Sequence, residues 1–413
     1  MYKFSLMNEN NLNEMARIQA NAYPGFYQTT PIEQVAERIT KASERQEVSY
    51  FCAYKEDTMV GGFNIWDFEM NMRQAKIKAG GVGSIAVDLA HKKEKIAREI
   101  MKYFINNLRE KGASIALLYP FNSAFYQKMG FGFGTLLQQL RVKPDDLPGG
   151  GSKANIQRLT EDDAEKLAVF YNSRAAVTHG LITKRTSDFV QSLKLPANKI
   201  FAYVDGEVRG YISFQFRKGS EESALVNDMF VGEMLFDSPE VFAQLMSFVK
   251  SQADQIRYVI INTQDESIIN TIPDPRNHMD RMLFAVYQEV ARTGLGVMYR
   301  ICDVESFLSD IAGCKFGDLT MNLQVNISDS FVPENNKIFN LKFENGSCVI
   351  AANTTPDAEL TIDIAEFTSL VMGCVTLRSL VKYGKATLSN VAHLDTLSRS
   401  FSLDEKPICL TYF

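Results

Sequence analysis

The sequence contains no Cys-x-x-Cys pair, and its four histidines (His91, His179, His278 and His393) are scattered. The close ligand groupings of a structural zinc site are therefore missing, and no metal centre is expected. The six cysteines, Cys52, Cys302, Cys314, Cys348, Cys374 and Cys409, lie mostly in apolar text, which predicts buried reduced thiols rather than a disulfide framework. No stretch approaches the ~18 unbroken apolar residues of a membrane span. The opening segment, MYKFSLMNENNLNEM, lacks the basic start and apolar run of a leader peptide, so a soluble cytoplasmic protein is expected. Positive charge is not in excess: 44 Lys and Arg against 49 Asp and Glu leave a net charge of −5. A nucleic-acid partner, which needs a basic face to displace counterions, is not expected. What is present is ordinary globular composition, 46% hydrophobic and 23% charged over 413 residues. At roughly 150 residues per domain that length predicts two or three domains.

Two breaks divide the chain. Pro148-Gly149-Gly150-Gly151-Ser152 has no side chain able to pack, and between 308 and 318 longer elements give way to short β-like segments. The expected domains are 1–148, 152–308 and 309–413. The first reads as mixed α/β. Helical spacing covers Leu12 to Tyr23 and Ile32 to Arg45, and alternation around Lys55-Glu56-Asp57 predicts a hairpin. The strand GGVGSIAVDL precedes a helix whose face carries Ile96, Ile100, Phe104 and Leu108, with Gly112 as its stop. ASIALLY is another strand, NSAFYQKMG a short helix and FGFGTLLQQLRV a closing strand. The second block repeats this order, FAYVDGEVRGYISF mirroring FCAYKEDTMVGGF, with Val231 in the place of Val87 one block length earlier. A duplicated domain is predicted. The third block opens with short strands, two of them joined across Glu344-Asn345-Gly346. The chain ends on an apolar KPICLTYF, which predicts a packed terminus rather than a frayed one.

The junction SIAVD–LAHKKEK–IAREIMKYF carries the chemistry. A strand entering a helix through a short loop aims free backbone N–H groups at one spot, where the helix dipole favours an anion. Lys92, Lys93 and Lys95 crowd that spot. They are the wrong sign for the dipole, so a bound diphosphate explains them better than a solvated helix start does. In YPFNSAFYQKMGFGFG, Tyr126 follows the next strand, near the carboxyl ends at which ligands gather in a parallel pair. It is either a proton donor or a core phenol with a satisfied hydroxyl. Gly130, Gly132 and Gly134 lack the setting of a phosphate loop and are read as shaping a bent strand.

These elements resemble the acetyl-CoA site of Gcn5-related N-acetyltransferases (GNAT). The whole chain resembles the enhanced-intracellular-survival (Eis) branch of that family. There, two GNAT domains, the second degenerate, precede a sterol-carrier-protein-like domain, matched here by TGLGVMYRICDVESFL and PDAELTIDIAEFTSLVMGCVTLRSLVKYGKATL. The implied fold is α/β (α+β), with two tandem mixed-sheet domains and a smaller α+β domain. The resemblance implies that Ile85, Ala86 and Val87 hold the thioester and pantetheine of acetyl-CoA. The pyrophosphate would fall to Lys93, Glu94, Lys95, Ile96, Ala97 and Arg98, and Phe121 and Asn122 would flank the cofactor's arm. Tyr126 would be the general acid, and the terminal carboxylate on Phe413 the base. The implied reaction is acetyl transfer to a primary amine of a small molecule such as an aminoglycoside or of a lysine side chain. Family members form rings, often hexamers, so a homo-oligomer is implied.

Lys92-Lys93-Glu94-Lys95 stands where the family has an arginine-rich loop with a glycine; Lys95 has a Cβ there, and Glu94 adds an acid to an anion site. Asp237-Ser238-Pro239 replaces the basic loop in the second domain, for which no cofactor is expected. These departures keep a second reading open, a non-catalytic ligand-binding protein on a degenerate GNAT scaffold.

Overall fold

The computed structural model describes residues 2–279, 282–352 and 354–413. Strand β1 (Tyr2–Leu6) leads into helix α1 (Glu9–Ala22), α2 (Pro24–Tyr27) and α3 (Ile32–Ser43). Strands β2 (Val48–Lys55), β3 (Thr58–Met72) and β4 (Ala75–Val87) follow, then α4 (Ile96–Glu110), β5 (Ile115–Leu118), α5 (Ser123–Gln127) and β6 (Gly132–Phe133). The second domain runs β7 (Leu137–Val142), β8 (Ile156–Arg158), α6 (Ala164–Ala175), α7 (Thr186–Lys194), β9 (Asn198–Asp205), β10 (Glu207–Lys218), β11 (Asn227–Phe236), α8 (Pro239–Lys250) and β12 (Ile256–Thr263). Short strands β13 (Met282–Phe284), β14 (Tyr287–Gln288), β15 (Ala291–Gly294) and β16 (Met298–Ile301) come next. The last part is α9 (Val304–Asp310), β17 (Met321–Ser328), β18 (Ile338–Glu344), β19 (Ser347–Ile350), β20 (Ala358–Asp363), α10 (Ile364–Val371), α11 (Leu377–Lys382), β21 (Ala386–Leu388) and α12 (Leu394–Phe401). Among the described residues no helix is long and apolar enough to cross a membrane.

The chain forms two compact units. One comprises Met1–Gly134, Val297–Asp404 and Thr411–Phe413, and the other Thr135–Gly296 and Glu405–Leu410. The first holds a mixed sheet in the order β1-β2-β3-β4-β5-β16-β6 and the five-stranded sheet β19-β18-β17-β20-β21. The second holds β15-β7-β12-β11-β10-β9-β8. In the first mixed sheet β4 and β5 are parallel, and in the second β11 and β12 are. The duplication predicted from the repeat is thus a repeat of topology. Tandem mixed sheets and a terminal α+β domain are the observed architecture.

The local signals act as their chemistry dictates. Asn8 opens α1 with a capping box shared with Asn11. Helix α4 buries Ile96, Ile100, Met101, Phe104, Ile105 and Leu108 against the sheet, each worth about 1.5–3 kcal/mol relative to exposure. The hairpin turns at 56–57 and 345–346 place Glu56, Asn345 and Gly346 at positive φ.

One strand reading is corrected. FGFGTLLQQLRV does not close the first sheet. It divides into β6, which pairs with β16 in that sheet, and β7, which pairs with β12 and β15 in the second unit. The closing position beside β5 is taken by β16, from the linking segment near residue 300. Both segments alternate suitably, and nothing local tells a strand which of two similar sheets it completes. None of the six cysteines is in a disulfide, and five of them are buried.

Candidate active site

The site begins where two parallel strands part. Strand β4 pairs with β5 only at Ala79–Ile115, Gly80–Ala116 and Gly81–Leu117, yet it continues to Val87. Beyond Gly81 the β5-facing edge of β4 leaves that ladder. On its other edge the register with β3 slips between Gly62–Ala86 and Asn64–Gly83, so Ser84 and Ile85 form a bulge, with Ser84 at φ 52°. Ile85, Ala86 and Val87 thus lie on the stretch that runs past the last pair with β5. In the second unit β11 pairs with β12 as far as Val231 and continues to Phe236, so the two strands part there in the same way.

After Val87, Asp88 turns the chain by accepting from the Ala90 N–H (2.8 Å) and pairing with Arg17 at 2.5 Å. Those contacts hold its carboxyl below the ordinary range, the Ala90 N–H contributing most. Lys93 and Lys95 both adopt left-handed backbone conformations, φ 70° and 65°. Lys95 is the residue from which α4 starts, and no side chain caps that helix. The left-handed geometry implied by a glycine is therefore kept by a lysine, at a cost of roughly 1 kcal/mol. The Arg98 N–H turns back to the Lys95 carbonyl at 3.0 Å, which leaves the first two N–H groups of the helix for an outside acceptor. By contrast α8 is capped by Ser238, whose hydroxyl accepts from the Val241 N–H, and Asp237 pairs with Arg209.

Glu94 turns to neighbours of opposite sign, lying 2.7 Å from Lys55 and 3.1 Å from His91. These lower its pKa, the Lys55 hydrogen bond first. The Tyr2 hydroxyl donates to its carbonyl at 3.0 Å, pinning the loop. The Ile96 side chain is buried in the core, so only its backbone can serve a ligand. Ala97 is half-buried and Arg98 exposed, its guanidinium 5.6 Å from the Phe331 ring.

Phe121 and Asn122 lie in the loop after β5. Phe121 is 92% exposed, and Asn122 accepts from the Phe125 N–H to start α5. That helix carries Tyr126, buried beside Phe125 and Phe131. Burial alone pushes the Tyr126 phenol up to about 12. Burial also raises Tyr23 to about 12, and the proximity of Tyr126 adds to it. The Tyr23 hydroxyl donates to the Ile85 carbonyl at 2.9 Å. Tyr126 belongs to the same buried cluster as Val87.

The chain terminus lies on the same strand. A methyl group built on Gly81 would stand 2.5 Å from the Phe413 ring, and one on Gly83 3.2 Å from the Phe413 carboxyl carbon. The tail is held by the Tyr119 hydroxyl, which donates to the Thr411 carbonyl at 2.9 Å, and by stacking of Tyr119 on Tyr412. Buried Asn64 links the neighbourhood: it accepts from Trp66 Nε1 at 3.1 Å and donates to Ser84 Oγ at 3.4 Å. Sequence reasoning missed Asn64 and Tyr119. Asn64 carried a signal, a carboxamide in the otherwise apolar VGGFNIW, whereas Tyr119 had none. Elsewhere, in the second unit, single ligand atoms of Asp146, Asp274 and His278 lie within 4.8 Å of one another. Arg276 already forks onto Asp274 there.

Residues 3–134 and 183–301 each match an acetyltransferase (GNAT) domain model, and residues 304–410 a sterol carrier protein domain model. No curated protein is similar to the chain in sequence. Similar solved structures include a GCN5-related N-acetyltransferase from Anabaena variabilis (TM-score 0.83, 16% identity) and a probable N-acyltransferase from Enterococcus faecalis (0.80, 18%). Eis1 from Mycobacterium abscessus is a third (0.77, 16%). In all three pairs both chains are covered over 100% of their length. At these identities the likeness is one of fold.

Proposed function

We propose that this chain, a GNAT acyltransferase with the Eis-like arrangement of two GNAT domains and a terminal sterol carrier protein domain, transfers acetyl from acetyl-CoA to a primary amine of a cationic acceptor. The observation that supports this reading is the Phe413 carboxyl group seated against Gly83, beside the bulge of β4 to which Tyr23, a near neighbour of Tyr126, donates.

The neutral amine attacks the thioester carbonyl, forming the C–N bond while the carbonyl π electrons move onto oxygen. Backbone N–H groups near Val87 steady that oxyanion. Collapse of the adduct breaks the C–S bond, the sulfur leaves with the electron pair, and Tyr126 returns a proton to it. The remaining ammonium proton of the product nitrogen passes to water or to the Phe413 carboxylate. An alkylammonium near pKa 10.4 and an α-carboxyl near 3.5 differ by about 7 units, roughly 9 kcal/mol uphill for direct deprotonation. We therefore assign the Phe413 carboxylate chiefly to anchoring the cationic acceptor. Lys93, Lys95 and Arg98, with the uncapped start of α4, would hold the diphosphate, and Phe121 and Asn122 the pantetheine arm. Glu94 would tie the loop down through Lys55. The second domain takes no acetyl-CoA in this reading.

The alternative, a non-catalytic protein binding an apolar ligand in its third domain, has less in its favour. Phe316, Phe343 and Phe367 fill that domain's interior at 1% exposure each. Addition of acetyl-CoA discriminates. A true site raises thermal stability by RT ln(1 + [L]/Kd) and releases thiol when an amine is supplied. Absence of any shift at millimolar acetyl-CoA would return the binding-protein reading. Self-association is also proposed, since Leu283, Phe284, Val286 and Tyr287 are between 63% and 81% exposed on one short hairpin. Light scattering on the purified chain gives the number of subunits.

A further inference from the structure

Resting on that reading, we infer that the cleft of the second domain is a peptide groove. Its occupant is the chain's own tail, Pro407 to Leu410, and its grip on that tail positions the Phe413 carboxylate. Strands β11 and β12 part beyond Val231. The register of β10 with β11 slips between Ser213–Glu233 and Phe214–Val231, which leaves Gly232 as a bulge. Two parallel strands thus diverge beside a bulge, as in the first domain, but the start of α8 is capped by Ser238. Residues Glu405–Leu410 belong to this second unit, whereas the residues on either side of them belong to the first.

The tail backbone is held as that of a bound peptide would be. The Ile408 N–H donates to the His179 carbonyl at 2.9 Å and the Cys409 N–H to Gln264 Oε1 at 2.7 Å. The Pro407 carbonyl accepts from the Thr135 hydroxyl at 2.7 Å. Gln264 directly follows β12, and its Nε2 donates to the Thr135 carbonyl at 3.2 Å, which ties the two gripping residues together. Ile408 and Leu410 pack into the cluster of Leu181, Tyr211 and Leu235, the last of these on β11 beyond the parting. Gly180 lets the tail in, since a methyl group there would stand 2.7 Å from the Ile408 nitrogen. Gln264 and Thr135 are 7% and 1% exposed, so loss of the tail would strip buried polar groups of partners. Only Leu410, Thr411 and Tyr412 separate Cys409 from Phe413. A slip by one residue moves an extended chain by about 3.3 Å, and a misplacement of ~1 Å can cost on the order of 100-fold in rate. Thr135 and Gln264 thus act on the reaction through the tail, as positioning residues.

The test uses the full chain. Thr135→Val keeps the side chain's shape and removes the donor to Pro407, whereas Thr135→Ser keeps the donor. Hydrogen exchange of the C-terminal peptide, read by mass spectrometry, follows the grip without any reaction. Thiol release from acetyl-CoA with spermidine or lysine amide follows its effect on turnover. In the wild type the Ile408 and Cys409 amides should exchange slowly. Thr135→Val should speed that exchange about tenfold or more, lower kcat and raise KM for the amine several-fold, and leave KM for acetyl-CoA as it was. Thr135→Ser should restore both readouts. Gln264→Met, which keeps the volume and removes the acceptor for Cys409, should repeat the effect of Thr135→Val if that variant does not fold. Fast exchange in the wild type, or a loosened tail with kinetics unaltered, overturns the inference and leaves the transferase reading intact. A protected tail with neither amine acetylated removes the transferase reading, and the positioning role with it.

Discussion

The carboxyl carbon of Phe413 and the α-carbon of Gly83 are close enough that a methyl group on the glycine would stand 3.2 Å from the carboxylate and 2.7 Å from the Asn64 carboxamide oxygen. The terminus is thus seated by a residue without a side chain. It sits beside the bulge that would hold the thioester. Removing Phe413, or adding residues after it, should lower kcat by tenfold or more while acetyl-CoA still raises the melting temperature. Gly83→Ala should act in the same direction by displacing the carboxylate. Unaltered steady-state kinetics in the shortened protein would refute the anchoring role.

Tyr126→Phe should cost about 100-fold in kcat, the ordinary range for loss of a positioned general acid. With its phenol pushed up to about 12, Tyr126 stays protonated throughout the neutral and mildly alkaline range. The wild-type profile should therefore show no loss of rate from this group below about pH 11. An alkaline limb near pH 9 that disappears in Tyr126→Phe would mean a different environment for the phenol.

The same shift carries a stability consequence. Tyr23 and Tyr126 are both raised to about 12 in the folded state, against 10 for a free phenol. Between pH 10 and 12 the unfolded chain loses these protons first, so ionisation favours unfolding as pH rises. The stabilising effect is complete below pH 10 and is lost on approaching pH 12, at about 2–3 kcal/mol for each phenol if titrated alone. Melting temperature should fall more steeply over that window in the wild type than in Tyr23→Phe or Tyr126→Phe. Equal slopes would show that neither phenol is buried in solution.

Lys95 offers a test that separates backbone from side chain. At φ 65° any residue with a Cβ is strained, so Lys95→Ala should bring no gain. Lys95→Gly should stabilise the fold by up to about 1 kcal/mol, strain relief exceeding the added freedom of the unfolded chain. If backbone N–H groups hold the diphosphate, acetyl-CoA affinity in Lys95→Gly should stay within about twofold of wild type. Lys92→Gln with Lys93→Gln should weaken it and flatten its salt dependence. A tenfold loss in Lys95→Gly would instead assign the contact to the lysine side chain.

The residues differ in how far the sequence reveals them. Lys95 could be singled out because a glycine was missing from a familiar pattern, but only the backbone angle shows that the conformation survived the substitution. The packing of residues 411–413 was legible in the apolar character of ICLTYF, and the ring of Phe413 does lie against Gly81. The exchange of β7 and β16 between sheets was not legible. Strand pairing over more than 150 residues depends on which partner edge is free, and local periodicity carries no such information. Nor was Arg300 visible, because its partners lie 171 and 29 residues away.

Arg300 supplies the last prediction. It is fully buried on β16, donates to the Met129 carbonyl at 2.5 Å and pairs with buried Asp329 at 2.5 Å. Asp329 also accepts from the Phe331 and Val332 N–H groups and from Asn335. Arg300 thereby joins the sterol-carrier-like part of the chain to the turn in which the Tyr126 carbonyl accepts from the Met129 and Phe131 N–H groups. Burial lowers the Arg300 pKa and Asp329 opposes that. Asp329→Asn should destabilise by about 3–5 kcal/mol, because an arginine whose Nε has no partner is then left uncompensated. Arg300→Met should cost less, since three donors still face Asp329. If this pair positions Tyr126, Arg300→Met should lower kcat several-fold at unchanged KM for acetyl-CoA. A loss of stability with kcat intact would confine the pair to holding the two parts of the unit together.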